Sequence, residues 1–259
     1  MGLYKEALEL HERLQGKIDV VSKAVVDNEK ILSLVYSPGV AEPCRQIRDD
    51  VSKVFDLTGK GNTIAVVSDG SAVLGLGNIG PEAALPVMEG KCVLFKAFGG
   101  VNAIPICLST QNPDEIVEIV KKLEPNFGGI NLEDIAAPAC FLIEERLKAE
   151  TEMAIFHDDQ HGTAVVAIAG LLNALRFVGK EPEEINVVVN GAGAAGTAII
   201  KMLIDFGVEE ILVCDSKGII SRERPGLNPA KRELAQLTNG QGLTGGLAEA
   251  LVGADVFIG

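Results

Sequence analysis

An apolar strand, a glycine-rich turn and a helix follow one another from Ile185 to Phe206, and this stretch constrains the fold more than any other. The run up to Val189 is continuously apolar, as in a buried strand, and the residues after the turn have one apolar face with a helical period. The turn has the pattern G-x-G-x-x-G and consists of Gly191, Ala192, Gly193, Ala194, Ala195 and Gly196. In this context the pattern predicts a site for the pyrophosphate of a dinucleotide, with a tight turn without ligand as the alternative.

A second predicted strand of this domain, at residues 211–214, supports that interpretation. It ends at Asp215, about 20 residues after the glycine turn, where an acidic residue binds the adenosine ribose hydroxyls. A carboxylate there repels a 2′-phosphate, so Asp215 favours NAD over NADP. Nearby basic residues could neutralise a phosphate and allow NADP; they are Lys217, Arg222 and Arg224. Residues 161–259 are therefore predicted to form a Rossmann-type, doubly wound domain.

Two pairs of acidic residues each follow a predicted buried strand. The pairs are Glu133-Asp134, after residues 129–132, and Asp158-Asp159, after residues 153–156. Either pair alone fits the start of a helix, where carboxylates are favourable. If both strand ends met in one cleft, four carboxylates would repel each other and require a cation, and oxygen ligands suit Mg²⁺ or Mn²⁺.

A zinc site is the competing interpretation of the second pair. His157 and His161 have the spacing of two ligands on one helical face. The stretch departs from H-E-x-x-H at the catalytic glutamate, and His157 is predicted to precede the helix.

Tyr36 and Lys91 are two further residues whose local context is ambiguous. Pro38, Gly39 and Pro43 predict that Tyr36 ends an extended segment, and local context favours a ring packed on the core. Lys91 follows Gly90 in a segment predicted as a turn and strand, where a surface charge is the usual interpretation. In a closed cleft that holds a metal, the same lysine could serve as a base.

Composition excludes several classes of function. The 259 residues suit two α/β domains, and the net charge of −13 argues against nucleic acid or an anionic membrane as a partner. Five cysteines without C-x-x-C spacing predict reduced core thiols in a cytoplasmic protein; they are Cys44, Cys92, Cys107, Cys140 and Cys214.

The chain shows no predicted targeting or membrane segment. Residues 1–16 form a predicted amphipathic helix that lacks the features of a signal peptide, with Leu3, Ala7, Leu10 and Leu14 facing inward. The longest apolar run, residues 164–172, is too short to span a bilayer.

Several motifs together resemble the bacterial malic enzymes, over most of the chain. They are Tyr36-Ser-Pro-Gly-Val-Ala-Glu-Pro, Val73-Leu-Gly-Leu-Gly-Asn-Ile-Gly, Gly90-Lys-Cys-Val-Leu-Phe-Lys, Asn131-Leu-Glu-Asp, Phe156-His-Asp-Asp-Gln-His-Gly-Thr-Ala and the glycine turn. The resemblance implies an α/β fold, with a substrate and metal domain at 1–160 followed by the first half of the cofactor domain at 161–259. It implies oxidative decarboxylation of (S)-malate to pyruvate and CO₂ with NAD, or NADP, and Mg²⁺ or Mn²⁺.

The resemblance also implies roles for individual residues and an assembly. Lys91 would contact substrate as general base, Tyr36 would be the general acid, and Asp158 would support the metal ligands. The ligands would be Glu133, Asp134 and Asp159, and the protein would form a homodimer or higher homo-oligomer. Two alternatives remain: a nucleotide- and metal-binding module without turnover, and an amino-acid dehydrogenase that needs no metal.

Overall fold

The computed structural model describes residues 2–259, and the chain divides into two compact units. One unit comprises Met1–Ile135 and Ile143–Phe156, and the other comprises Ala136–Leu142 and His157–Gly259. Within residues 2–259 the strands form two four-stranded sheets.

The first sheet has the order β2-β1-β3-β4. Its strands are β1 (Thr63–Ser68), β2 (Asn102–Cys107), β3 (Gly129–Leu132) and β4 (Ala154–His157). β1 runs parallel to both of its neighbours, β2 and β3. Ala65, Val66 and Val67 of β1 are fully buried, as expected for a parallel strand covered on both faces. In such sheets ligands bind beyond the carboxyl ends of the strands.

Seven α-helices precede residue 160 in the described chain. They are α1 (Leu3–Leu14), α2 (Glu29–Val35), α3 (Ala41–Asp49), α4 (Val54–Leu57), α5 (Pro81–Gly99), α6 (Pro113–Leu123) and α7 (Ala139–Glu150). α5 is one continuous helix, so the predicted turn at Gly90 and the strand after it are wrong. Met88 and Cys92, one turn apart, are buried against β1 and β2. Their packing outweighs the cost of glycine within a helix, about 1 kcal/mol.

The first helices differ from prediction in burial and in conformation. No residue of α1, α2 or α3 is buried, and the leucines predicted to face inward, Leu3, Leu10 and Leu14, are exposed. Residues before Tyr36 form α2 rather than an extended segment, because Asn28 caps that helix by accepting a hydrogen bond from Ile31 N at 2.9 Å. Pro43 lies in the first turn of α3, where its missing N–H has little cost.

The second unit has the doubly wound architecture that the glycine turn predicts. Its strands are β5 (Asn186–Asn190), β6 (Glu210–Asp215), β7 (Gly218–Ile219) and β8 (Val256–Ile258), and its helices are α8 (Thr163–Val178), α9 (Ala194–Asp205), α10 (Pro229–Leu237) and α11 (Leu247–Ala250). The sheet order is β7-β6-β5-β8, with β6 and β8 parallel to β5. Side chains of α8, α9 and α10 form the apolar core on one face, and those of α11 pack with Val188 and Cys214 in another cluster.

By length and composition, the helical segment Asp158–Val178 could cross a membrane. The uninterrupted apolar run at 164–172 is a shorter part of the same segment. A single segment of this kind is weak evidence for a membrane span. Ala164, Ile168, Leu171 and Leu175 of α8 are buried in the core of the second unit. Core packing therefore accounts for one face of this helix, whereas only 22% of the segment as a whole is buried.

All five cysteines are free thiols. Cys92, Cys140 and Cys214 are buried, but Cys44 is exposed, so the prediction of core thiols is wrong for Cys44. Burial raises the pKa of the Cys92 thiol to about 12. That thiol therefore stays protonated at neutral pH and is a packing group rather than a nucleophile.

Candidate active site

Glu133 and Asp134 lie directly beyond the carboxyl end of β3, as predicted, and each is only 5% exposed. The helix that follows, α7, begins at Ala139, so these two carboxylates do not cap it. Asp134 has a φ of 54°, in the left-handed region, and its carbonyl oxygen accepts a hydrogen bond from Ala72 N at 3.0 Å. The left-handed region is uncommon outside glycine, although aspartate adopts it more readily than most residues.

The Glu133 carboxylate has partners on both of its oxygens. Lys91 Nζ, on α5, lies 2.9 Å from Glu133 Oε1, and Asn131 Nδ2, on β3, donates to Oε2 at 2.8 Å. The Lys91 side chain is 20% exposed, so its interpretation as a solvated surface charge is wrong. Asn131 is buried and contacts a predicted site residue, although the sequence alone gave it no role.

Asp158 and Asp159 lie in a π-helical turn, Asp158–Gly162, between β4 and α8. Such turns are rare and are found frequently at functional sites. A Cβ atom at Gly162 would overlap Oδ1 of Asp158, so only glycine leaves that carboxylate in place. The turn therefore places the carboxylate pair directly after the strand.

The histidines of this stretch do not share a helical face. His157 is the last residue of β4 and is fully buried, whereas His161 belongs to the π-helical turn. Nδ1 of His157 lies 4.0 Å from Oδ2 of Asp159, a distance at which a protonated ring would form a weak ion pair. The arrangement therefore lacks the helical geometry of a two-histidine zinc motif.

Tyr36 is 70% exposed, and its ring does not pack on the core. It follows the last residue of α2, and within residues 2–259 its hydroxyl makes no hydrogen bond. The prediction that the Tyr36 ring packs on the core is therefore wrong.

The glycine turn between β5 and α9 has the geometry of a phosphate-binding loop. Gly191 has a φ of 136°, Gly193 precedes the first residue of α9, and a Cβ atom at Gly196 would overlap the carbonyl oxygen of Gly191. The N–H groups of the first turn of α9, starting at Ala194, are thus available to an anion. Thr197, one turn into α9, has a buried hydroxyl without a hydrogen bond within residues 2–259. The residues present fit a dinucleotide, and Thr197 is a position that sequence analysis missed.

Asp215 ends β6, at the same edge of the sheet as the glycine turn, because β5 and β6 are parallel. Its carboxylate is 8% exposed and pairs with Arg224 and Lys231, each at 2.6 Å. Burial alone would raise the Asp215 pKa, but hydrogen bonds from these two cations hold the pKa well below its usual range. Lys231, on α10, is a partner that the sequence did not indicate.

Two family models match the chain. The model for "Malic enzyme, N-terminal domain" matches residues 15–148, and that for "Malic enzyme, NAD binding domain" matches residues 160–249.

Curated relatives cover the chain but are longer. A bifunctional malic/malolactic enzyme of Bacillus subtilis is 63% identical, over 100% of this chain and 63% of the relative. An NAD-dependent malic enzyme of Geobacillus stearothermophilus is 57% identical, over 94% of this chain and 51% of the relative. An NADP-dependent malic enzyme of Haemophilus influenzae is 47% identical, over 99% of this chain and 34% of the relative. The chain therefore spans less than two thirds of these relatives.

Solved structures agree with this likeness. The NAD-dependent malic enzyme of Thermotoga maritima superimposes with a TM-score of 0.95 at 54% identity, covering 98% of this chain and 68% of that one. The malic enzyme of Pyrococcus horikoshii has a TM-score of 0.95 at 50% identity, covering 99% of this chain and 62% of that one.

Proposed function

The chain belongs to the malic enzyme family, and from that premise we propose that the protein oxidatively decarboxylates (S)-malate to pyruvate and CO₂. One observation carries the proposal: Nζ of Lys91, on α5, lies 2.9 Å from Oε1 of Glu133, a buried carboxylate at the end of β3. A base can take the hydroxyl proton of a 2-hydroxy acid as it is oxidised, and a divalent cation beside that base would stabilise the negative charge that develops when CO₂ leaves. Malate-dependent reduction of NAD or NADP by the full-length protein tests this function.

We propose that Glu133, Asp134 and Asp159 together bind one Mg²⁺ or Mn²⁺ ion. The donors are all carboxylates, which these hard cations prefer. Glu133 and Asp134 follow β3, Asp159 lies two residues after β4, and β3 and β4 are neighbours in one sheet. Two adjacent carboxylates that are 5% exposed repel each other, and a bound cation removes that repulsion. When bound, the cation would polarise the oxygen on C2 of the substrate.

Asp159→Asn should weaken Mn²⁺ binding by on the order of 10–100-fold, because the neutral amide replaces an anionic ligand. Isothermal titration calorimetry of Mn²⁺ against the full-length protein measures this. Asp205→Asn, which removes an exposed carboxylate at the end of α9, is the matched control and should leave Mn²⁺ affinity unchanged. Equal affinities in the wild type and Asp159→Asn would remove Asp159 from the site.

The proton transfers are assigned to two side chains of this protein. In its neutral amine form, Lys91 Nζ takes the proton from the C2 hydroxyl of malate, while the nicotinamide cofactor supplies the oxidising power. After CO₂ leaves, Tyr36 gives a proton to C3 of the enol to form pyruvate. Asp158, fixed in the π-helical turn, supports the neighbouring ligand Asp159.

The cofactor would occupy the turn from Gly191 to Gly196, with its pyrophosphate at the N-terminus of α9 and its adenosine ribose near Asp215. The close contact of the turn with α9 and the buried hydroxyl of Thr197 support this position. Residues 161–259 thus carry the cofactor groups, and 1–160 carry the proposed groups for metal and proton transfer.

We propose that the protein is a homo-oligomer and that it is cytoplasmic. The apolar side chains that α1 and α2 expose, among them Leu3, Leu8 and Leu34, support a partner surface on another copy of the chain. Free cysteines support a reducing compartment, and the net charge of −13 argues against nucleic acid or an anionic membrane.

A further inference from the structure

The carboxylate of Asp215 already has a full set of hydrogen bonds from the protein. Oδ1 accepts from Lys217 N at 2.9 Å and from Arg224 Nη2 at 2.7 Å, and Oδ2 accepts from Arg224 Nη2 at 2.6 Å and from Lys231 Nζ at 2.6 Å. An ionised carboxylate offers about four lone-pair positions, and these contacts use them. Asp215 can therefore accept a ribose hydroxyl only by releasing one of these partners.

The cluster around Asp215 is cationic as a whole. The single carboxylate, 8% exposed, is paired with two cations that are more exposed, Arg224 at 16% and Lys231 at 27%. A ligand that approaches the end of β6 therefore meets a site with one excess positive charge, instead of the repulsive carboxylate that the sequence predicts. Such a site favours a dianionic phosphate over a neutral hydroxyl.

The two cations differ in how they are held. Arg224 Nη1 donates to the carbonyl oxygens of Gly218 and Ile219 at 3.0 and 3.1 Å, which fixes its guanidinium beside Asp215. Within residues 2–259 the Lys231 ammonium makes one hydrogen bond, to Asp215, and so keeps two N–H groups for a ligand. Because Nη1 and Nη2 of Arg224 already donate to the two carbonyl oxygens and to Asp215, Arg224 offers a phosphate its positive charge and its Nε–H, and Lys231 supplies the spare donors.

Arg222, which the sequence also suggested as a phosphate partner, is directed elsewhere. Its Nε and Nη2 donate to the carbonyl oxygens of Ala235 and Gln236, near the C-terminus of α10, at 3.3 and 3.1 Å. Arg222 thus stabilises a helix end, and it provides a control of equal charge close in sequence.

We infer that Arg224 and Lys231 form a recognition site for the 2′-phosphate of NADP, with Asp215 as the anion that positions them rather than as a ribose ligand. This inference rests on the proposed cofactor function and reverses the preference for NAD that Asp215 alone predicts. The parallel arrangement of β5 and β6 supports it, because the cluster and the phosphate-binding turn lie at one edge of the sheet.

Adenosine 2′,5′-bisphosphate and AMP, which differ only in the 2′-phosphate, are the probes for this inference. Calorimetry with the full-length protein should show that the bisphosphate binds on the order of tenfold more tightly than AMP. Lys231→Gln should remove most of that advantage and leave AMP affinity within about twofold, whereas Arg222→Gln should change neither affinity. The advantage should also fall as salt concentration rises.

Three results would overturn the inference. AMP could bind as tightly as the bisphosphate, or Lys231→Gln could leave the advantage of the bisphosphate intact. If the protein still bound NAD in either case, the proposed cofactor site would stand and only the recognition of the 2′-phosphate would fail. If neither probe nor NAD bound, the proposed cofactor site itself would fail and this inference with it. Thermal unfolding of Lys231→Gln, whose changed side chain is partly exposed, confirms that the variant is folded.

Discussion

Lys91→Ala should reduce malate oxidation by about 10²–10⁴-fold, the usual contribution of a positioned base. The structure places Lys91 Nζ 2.9 Å from Glu133, so the substitution removes the only proposed base while the carboxylates of the metal site remain. Steady-state rates of NAD or NADP reduction measure the loss. Mn²⁺ affinity, measured in parallel by calorimetry, should persist, and small primary amines should restore part of the rate.

Lys96→Ala is the matched control for Lys91→Ala, because Lys96 lies on the same helix and hydrogen-bonds Asn102 rather than an acidic site residue. It should leave the rate unchanged. Tyr36→Phe provides the other comparison: it should retain more malate oxidation than Lys91→Ala but lose proton exchange at the methyl group of pyruvate. If Tyr36→Phe kept that exchange and Lys91→Ala abolished it, the assigned roles would be reversed.

Gly196→Ala should damage both the stability and the cofactor affinity of the second unit. Its Cβ atom would overlap the Gly191 carbonyl oxygen, a backbone atom that cannot turn aside, so the turn and α9 must separate. We expect a loss of about 1–3 kcal/mol in unfolding free energy, as for other overpacked sites. NAD affinity should fall by on the order of tenfold or more, because the N–H groups of α9 lose their alignment with the pyrophosphate.

Gly170→Ala is the matched control for Gly196→Ala. Gly170 lies within α8, and a Cβ atom there would meet no atom within 4 Å. The same added methyl group should therefore stabilise the protein by up to about 1 kcal/mol and leave NAD affinity unchanged. Chemical denaturation and calorimetry of both variants test the pair, and equal behaviour of the two would contradict the packing role of Gly196.

The parts of the fold that sequence predicts well are those whose signals are local. The glycine turn, β5 and β6 depend on a short run of residues, and the structure has them where the pattern indicates. The strand ends before Glu133 and Asp158 lie where the sequence predicts them, because a short, mostly apolar run marks each strand.

The errors arise where tertiary packing outweighs a local signal. Gly90 suggests a turn, but α5 continues through it because Met88 and Cys92 pack on the sheet. Asp215 alone suggests a ribose ligand, but its partner Lys231 is 16 residues away on α10, a distance at which sequence carries no pairing signal. The exposure of Tyr36 likewise depends on which surfaces the first helices pack against. The residue pattern of those helices does not specify these surfaces.

The most direct test of the proposed function is the reduction of NAD or NADP by the full-length protein with (S)-malate, with and without Mn²⁺. We predict that reduced cofactor and pyruvate form together, that both malate and Mn²⁺ are required, and that a chelator stops the reaction. Reduction that needs no metal and proceeds with an amino acid would indicate an amino-acid dehydrogenase. Binding of Mn²⁺ and NAD without any turnover of malate would contradict the enzymatic function altogether.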